Sequence, residues 1–120
     1  MNERMIHDRT ARICVIGLGY IGLPTACFFA KSCFQVSGYD TNTEKIELLQ
    51  GGHLPFEEPG LGELFAESHS HMVFSSSIQK ADVYIVCVPT PLTADKMPDL
   101  SFVESALRDI TEIIKKDDFV

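Results

Sequence analysis

Basic residues are scarce in this sequence, and it has neither a long apolar run nor a paired cysteine motif. Its 10 Lys and Arg residues against 17 Asp and Glu residues give a net charge of −7. This balance argues against a nucleic-acid partner, because neutralising phosphates requires clustered Lys and Arg side chains. No apolar run approaches the roughly 20 residues that a membrane helix needs, and the charged first eleven residues are unlike a signal peptide. We therefore expect a soluble, cytoplasmic domain that binds neither nucleic acid nor a membrane.

The four cysteines predict a reducing compartment rather than a disulfide framework. Cys14, Cys27, Cys33 and Cys87 form no C-x-x-C pair, and each lies in an apolar segment. Such cysteines usually act as small buried hydrophobic residues. We predict buried, reduced thiols, as expected for a protein of the cytosol.

The sequence also shows no arrangement of residues that is typical of a catalytic nucleophile or of a metal site. No Ser/His/Asp or Cys/His arrangement is recognisable, and His69 and His71 have no third ligand at a useful spacing. A zinc site needs at least three protein ligands. We therefore predict no catalytic residue and no metal site in this chain.

What is present is an alternation of short apolar strands and amphipathic helices. With 120 residues, of which 45% are apolar and 22% charged, the chain is long enough for one domain with a buried core. Apolar, β-branched runs predict strands at residues 13–16, 35–40, 72–74 and 83–88, and residues 118–120 could begin a fifth. Apolar residues at spacings of three and four predict helices between them. The pattern predicts an α/β fold, a Rossmann-type doubly wound parallel sheet in three α/β/α layers, truncated near the fifth strand.

Two capping boxes predict where two of the helices begin. In a capping box, a Ser or Thr at the N-cap is followed three residues later by Glu or Gln. Thr41 and Glu44 have this spacing, and so do Ser101 and Glu104. We predict that Thr41 and Ser101 cap their helices, and that the second of these helices extends to about residue 116.

Residues 17–22, GLGYIG, form a G-x-G-x-x-G motif between the first predicted strand and the first predicted helix. In a dinucleotide-binding fold, Gly17 would permit the tight turn, Gly19 would let the backbone approach a pyrophosphate, and Gly22 would let helix and strand pack closely. The helix N-terminus would then offer unpaired N–H groups to the phosphates. A plain strand-to-helix turn is the alternative, and the flanking strand and helix make it the weaker interpretation.

Asp40 ends the second predicted strand, eighteen residues after Gly22. A carboxylate at this position accepts hydrogen bonds from the ribose hydroxyls of the adenosine half, and it repels a 2′-phosphate. The next two residues, Thr41 and Asn42, include no arginine, so we predict NAD rather than NADP as the cofactor. The alternative, that Asp40 belongs only to the helix cap, does not explain its position at the strand end.

Thr90 follows the fourth predicted strand, between two prolines. Ligands of open α/β sheets bind outside the carboxyl ends of the strands, so this hydroxyl would lie at the binding edge. A Pro-Thr-Pro turn that merely ends the strand is a serious alternative.

With these residues in place, the sequence resembles the nucleotide-sugar 6-dehydrogenases, the UDP-glucose/GDP-mannose dehydrogenase family. The resemblance rests on residues 16–26, 38–42, 58–61, 81–83 and 88–91, which occur in the family's order. Residues 98–106 are similar to the branch that oxidises UDP-N-acetylhexosamines, the UDP-N-acetylmannosamine dehydrogenases in particular. The resemblance covers the chain from about residue 12 to residue 120.

The resemblance implies roles for further residues of the predicted site. It implies that Tyr20 and Ile21 line the cofactor phosphates through their backbone, that Lys45 assists Asp40 at the adenosine ribose, and that Thr90 contacts the cofactor. In such enzymes NAD accepts two successive hydrides from the C6 alcohol of a UDP-sugar. The product is a uronic acid, formed through an aldehyde and a thioester on a catalytic cysteine.

The sequence departs from the family pattern at both ends. Residues 1–11 match no family motif, and we predict a flexible leader there, followed by an NAD-binding domain at residues 12–120. The catalytic cysteine, the substrate-binding residues and the whole sugar-binding half are not found, so we expect an N-terminal fragment that is inactive alone. Exposed sheet edges and apolar helix faces promote pairing between copies, so we also predict self-association as a homodimer.

Three alternatives remain open at this point. A stand-alone NAD-sensing module would share the glycine motif and Asp40, although it gives no reason for residues 88–91 or 98–106. A UDP-glucose 6-dehydrogenase would differ only in the sugar. Another dehydrogenase family with the same cofactor domain, for instance one that acts on a 3-hydroxyacid, is the third.

Overall fold

A parallel sheet of four strands forms the centre of the computed structural model, which describes residues 2–120. The strands lie in the order β3-β2-β1-β4. They are β1 (Arg12–Ile16), β2 (Gln35–Tyr39), β3 (Met72–Ser75) and β4 (Val83–Val86). The helices are α1 (Glu3–His7), α2 (Gly22–Lys31), α3 (Thr43–Gln50), α4 (Leu61–Ser68) and α5 (Ser101–Thr111), and a 3₁₀ turn (His69–His71) follows α4.

Strand β1 is the centre of the sheet because it pairs with a strand on each side. Ile13 lies opposite Val36 of β2 and opposite Val83 of β4. Cys14 and Val15 are fully buried, as expected for a parallel strand that is covered on both faces. The strand order, with crossovers on both sides of β1, is that of a doubly wound sheet, and this confirms the predicted fold class.

Alternate residues of β1 face two separate layers of helices. Ile13 and Val15 belong to an apolar cluster that also holds the buried faces of α2, α3 and α4. Cys14 and Ile16 belong to a second cluster, which Ala106 and Ile110 of α5 cover from the other side. Successive side chains of a strand point to opposite faces of the sheet, so β1 contributes residues to both apolar clusters. With helices on both faces, the architecture has three α/β/α layers.

Both predicted capping boxes are wrong in detail. Asn42, not Thr41, is the N-cap of α3, and its side chain accepts a hydrogen bond from the Lys45 amide at 3.1 Å. In α5, Ser101 is already the first helical residue, and its amide donates to the Asp99 carboxylate at 2.9 Å. Both helices therefore start one residue away from where the capping-box spacing predicts.

The other differences concern the ends of elements. Strand β4 ends at Val86 rather than at residue 88, and α5 ends at Thr111 rather than near residue 116. Beyond α5, Phe119 makes an isolated parallel bridge to Val83, and the Tyr84 amide donates to the Phe119 carbonyl at 2.8 Å. This is the position at which the sequence predicts the beginning of a fifth strand.

The leader of residues 1–11 includes α1, which packs on the domain through one side chain. Met5 lies against the cluster that covers β1, and its carbonyl accepts hydrogen bonds from the Thr10 and Ala11 amides. Ala11 itself is buried. The flexibility of this leader stays a prediction.

The four cysteines divide between core and surface. Cys14 and Cys27 are buried as predicted, Cys87 is half-buried, and Cys33 is exposed. The prediction of burial is therefore wrong for Cys33, which takes a left-handed conformation (φ 72°) just after α2. That is the conformation which commonly ends a helix, and it turns the residue towards the surface.

Within residues 2–120, no helix is long and apolar enough to cross a membrane.

Candidate cofactor-binding site

A cleft of about 560 Å³ opens at the carboxyl edge of the sheet, where β1, β2 and β4 end. It lies between the strand ends on one side and a face of α5 on the other. Seven of the eight predicted binding residues line it: Gly17, Gly19, Tyr20, Ile21, Asp40, Lys45 and Thr90. Gly22, the eighth, does not line the cleft but packs against Gly17 and Cys87, which do. The fold thus brings together residues that are up to 73 positions apart in the sequence.

Gly17 and Gly22 allow the turn and the close packing that the motif predicts. Gly17 has a φ of 95°, and a Cβ atom there would lie 2.6 Å from the Cys87 carbonyl oxygen. A Cβ atom on Gly22 would overlap the carbonyl oxygen of Gly17. Because the obstacles are backbone atoms, neither position accepts a side chain without a shift of the main chain.

Gly19 has a different environment, since a Cβ atom there would meet no other atom within 4 Å. This open space faces the cleft. Among the described residues, the amide groups of residues 19–22 donate to no protein acceptor. They form the N-terminus of α2, where unpaired N–H groups and the helix dipole favour an anionic ligand. A helix start of this kind suits an anionic group such as a pyrophosphate.

Asp40 connects three parts of the site through its carboxylate. Its Oδ2 atom accepts a hydrogen bond from the Leu18 amide at 2.9 Å, and its Oδ1 atom accepts one from the Asn42 amide at 2.9 Å. The Lys45 ammonium lies 3.5 Å from Oδ2, and the two side chains are 21% and 14% exposed for Lys45 and Asp40 respectively. A carboxylate has about four acceptor positions, so Oδ1 can still accept from a ligand hydroxyl.

Tyr20 and Ile21 both line the cleft and are largely exposed to solvent. The side chains leave these residues 63% and 72% exposed. The Tyr20 ring also contacts Phe56, with the ring centroids 4.5 Å apart. This contact joins the glycine motif to the loop before α4.

Two ionisable groups in the cleft have shifted pKa values. Burial raises the pKa of the Tyr39 hydroxyl, and the negative charges of Asp109 and Asp40 raise it further. Burial also raises the pKa of the Cys87 thiol. Both groups are therefore protonated at neutral pH, and neither is activated as a nucleophile.

The wall of the cleft that α5 supplies was not predicted from the sequence. Four residues of this helix line the cleft: Phe102, Ser105, Ala106 and Asp109. Their spacing of three, four and seven residues marks one face of a helix, but nothing in the sequence shows that this face lies against the cleft. Leu18 was also missed; it is fully buried and anchors the glycine motif against Gly38.

The other candidates singled out in the sequence lie away from the cleft. His69 and His71 form the 3₁₀ turn after α4, and the His69 ring contacts Phe65 with centroids 5.5 Å apart. In the part of the chain that the structure describes, no group of three or more His, Cys, Asp or Glu residues is placed to hold a metal ion.

Comparison with known proteins decides the family. A model of the UDP-glucose/GDP-mannose dehydrogenase family, NAD binding domain, matches residues 11–120. The chain belongs to this family. The predicted family and the predicted cofactor, NAD, are both confirmed by this match.

Relatives in the family resemble the chain over nearly its whole length. A UDP-N-acetyl-D-mannosamine dehydrogenase of Methanococcus aeolicus is 42% identical over 114 residues, which are 91% of this chain and 26% of that protein. An NDP-N-acetyl-D-galactosaminuronic acid dehydrogenase of Ralstonia nicotianae is 38% identical over 120 residues, which are 98% of this chain and 28% of that protein. The UDP-N-acetyl-mannosamine dehydrogenase Cap5O from Staphylococcus aureus superposes with a TM-score of 0.86 at 41% identity, over 90% of this chain and 27% of that one. The chain therefore spans about a quarter of the length of these relatives.

Proposed function

We propose that this UDP-glucose/GDP-mannose dehydrogenase-type domain holds NAD in the cleft with the pyrophosphate against the amides of residues 19–22. The observation that carries the proposal is that these four amides have no acceptor among the described residues, in a cleft that Asp40 also lines. A helix N-terminus of this kind favours a negatively charged ligand, and the missing side chain of Gly19 leaves room for its approach.

The adenosine ribose is assigned to Asp40, with Lys45 beside it. Support for this comes from the remaining acceptor capacity of Oδ1 and from the partial burial of both side chains. Thr90 lines the same cleft beyond the end of β4 and is assigned to a contact with the cofactor. NAD, when bound, supplies a hydride acceptor, and these residues bind and orient it.

A substitution at Gly19 tests the phosphate position. In Gly19→Val, the added side chain meets open space, so the domain should still fold while the side chain occupies the ligand's place. Gly62→Val is a matched control, because Gly62 also has no atom within 4 Å of a built Cβ but lies on α4, outside the cleft. Ligand at 100 times its Kd stabilises a folded protein by about 2.7 kcal/mol.

We expect NAD to raise the thermal midpoint of the unsubstituted chain and of Gly62→Val, but not of Gly19→Val. Equal NAD-induced shifts in the two variants would contradict the proposed phosphate position. No shift in any of the three proteins would contradict NAD binding by this chain.

For the whole protein, we propose oxidation of the C6 alcohol of a UDP-N-acetylhexosamine to the uronic acid with two NAD. UDP-N-acetylmannosamine is the substrate we favour over UDP-glucose, because the relatives described above are named for N-acetylated sugars and match at 38–42% identity. No residue of this chain is assigned a catalytic role, so the chain alone should bind NAD without forming NADH. The absorbance of NADH at 340 nm, followed with each UDP-sugar, tests this expectation. NADH formation by the chain itself would contradict it.

Self-association and a cytoplasmic location are proposed as well. Several large apolar side chains near the C-terminal end are exposed: Leu107, Ile114, Phe119 and Val120. Exposed apolar surface of this kind promotes pairing of two copies. Light scattering at micromolar concentration should give the mass of a dimer, and a monomer mass would contradict the proposal.

The cytoplasmic location rests on the four free cysteines.

A further inference from the structure

Helix α5 presents one stripe of side chains to the cleft. Phe102, Ser105, Ala106 and Asp109 line the cleft at the spacing of one helix face. Asp109 is the charged member of this stripe, it is half-buried, and it lies in the third turn of the helix. Neither the glycine motif nor the position of Asp40 at the strand end explains why a carboxylate lies on this wall.

Asp109 differs from Asp40 in how its charge is balanced. The Asp40 carboxylate accepts from two backbone amides and lies 3.5 Å from the Lys45 ammonium. Asp109 has neither an ion pair nor a hydrogen bond through its side chain within residues 2–120. Three residues that line the cleft carry a formal charge: Asp40, Lys45 and Asp109. Because the charges of Asp40 and Lys45 balance each other, the cleft carries one uncompensated negative charge, at Asp109.

Tyr39, the last residue of β2, relates the two carboxylates in space. It lines the cleft together with Asp40 and Asp109, and it packs against the cluster that holds Ala106 and Ile110 of α5. Both carboxylates act electrostatically on the hydroxyl of Tyr39, in addition to the effect of burial. Asp109 therefore lies on a helix that packs near the end of β2, and it lines the same cleft as Asp40. That end is where the adenosine ribose is assigned.

We propose that Asp109 is a second determinant of the preference for NAD over NADP, acting from α5 by repelling the 2′-phosphate. This inference rests on the proposed assignment of the ribose to Asp40. The ribose of NAD carries a neutral 2′-hydroxyl, whereas the 2′-phosphate of NADP carries about one and a half to two negative charges at neutral pH. A like charge placed against one ligand and not the other is an effective way to discriminate between them.

The test measures Kd for NAD and for NADP by calorimetry with the purified chain and three variants. Asp109→Asn removes the charge at nearly constant shape, and Asp109→Glu keeps the charge. Glu104→Gln removes a charge from the same helix at an exposed position that does not line the cleft. The readout is the ratio of Kd for NADP to Kd for NAD, in which general effects on folding and on pyrophosphate binding cancel.

In Asp109→Asn we expect this ratio to fall by about five- to tenfold, which corresponds to about 1–1.4 kcal/mol, with Kd for NAD changed less than about twofold. Asp109→Glu and Glu104→Gln should keep the ratio of the unsubstituted chain. An unchanged ratio in Asp109→Asn, or an equal loss of NAD and NADP affinity, would overturn the inference. If the unsubstituted chain binds no NAD, the proposed function fails and the inference fails with it; these results are distinguishable.

Salt provides a second readout that a purely structural role of Asp109 would not produce. The Debye length falls from about 10 Å at 0.1 M salt to about 3 Å at 1 M salt, so repulsion of the 2′-phosphate is screened. The ratio of Kd for NADP to Kd for NAD should fall as the salt concentration rises in the unsubstituted chain, and it should fall less in Asp109→Asn. Identical salt dependence in the two proteins would also overturn the inference.

Discussion

The amide of Leu18 donates a hydrogen bond of 2.9 Å to the Oδ2 atom of Asp40, although the two residues are 22 positions apart. This bond fastens the glycine motif, which follows β1, to the end of β2. The residue assigned to the ribose therefore also holds the segment that is assigned to the phosphates. Loss of the Asp40 carboxylate should affect both the stability of the domain and its affinity for the cofactor.

Asp40→Ala should lower the free energy of unfolding by about 1–3 kcal/mol, because it leaves the partly buried Leu18 amide without its acceptor. Urea denaturation measures this change. Asp95→Ala, in an exposed loop, is the control and should change stability by less than about 0.5 kcal/mol. Equal stability of Asp40→Ala and the unsubstituted chain would show that the Leu18–Asp40 bond contributes nothing.

Gly22→Ala should destabilise the domain although alanine favours helices. Its Cβ atom would overlap the carbonyl oxygen of Gly17, so the backbone has to move, at a cost of about 1–3 kcal/mol or more. Gly62→Ala in α4 meets no atom within 4 Å and should instead stabilise by up to about 1 kcal/mol. Denaturation of both variants separates the two effects. A stabilised Gly22→Ala would contradict the packing described for the motif.

The arrangement of the strands could be predicted from the sequence because each strand carries its own local signal. The run that contains Cys14 and Val15 is apolar on both faces, and the glycine motif that follows it marks the turn into α2. Parallel strands joined by helices then restrict the topology to a doubly wound sheet. The same reasoning brings Asp40 and Thr90 to one edge, and both line the cleft.

The helix caps could not be predicted because neighbouring residues offer side chains that can each act as an N-cap. Thr41 has the capping-box spacing, but the Asn42 side chain accepts from Lys45, and the Asn42 amide is already bound by Asp40. The wall formed by α5 was missed for another reason. Its cleft-lining face, including Asp109, is set by how the crossover after β4 packs on the sheet, which is not a local property of the sequence.

The chain should lose stability in acid partly through Asp118. Burial raises the pKa of its carboxyl, but hydrogen bonds from the side chain and backbone of Lys115, together with the positive charge of Lys115, lower it overall. A group with a lowered pKa stabilises the fold above its ordinary value, here 3.8, and this contribution is lost as pH falls through the folded-state value.

The free energy of unfolding, measured between pH 7 and pH 2.5, should therefore fall less in Asp118→Asn than in the unsubstituted chain. Asp95→Asn provides a control from an exposed loop, and its acid profile should follow that of the unsubstituted chain. The same fall in all three proteins would mean that the Lys115–Asp118 pair does not contribute to the pH dependence.

The cysteines should react with an alkylating reagent in an order set by their exposure. Exposed Cys33 should be labelled first and half-buried Cys87 more slowly, while Cys14 and Cys27 stay protected because burial restricts access and raises their pKa values. Saturating NAD should slow the labelling of Cys87, which lines the cleft, and leave Cys33 unchanged. Peptide mass spectrometry at timed intervals measures each rate. Labelling of Cys87 at the same rate with and without NAD would contradict the proposed position of the cofactor.

The most direct test of the account is a titration of the ¹⁵N-labelled chain with NAD, followed by the amide resonances in two-dimensional NMR spectra. The central claim is that the pyrophosphate binds the N–H groups at the start of α2. We predict that the largest shifts occur at the amides of residues 19–22, with smaller ones at Asp40 and Thr90, and that the amide of Gly62 does not move. Shifts confined to another part of the chain, or none at saturating NAD, would contradict the claim.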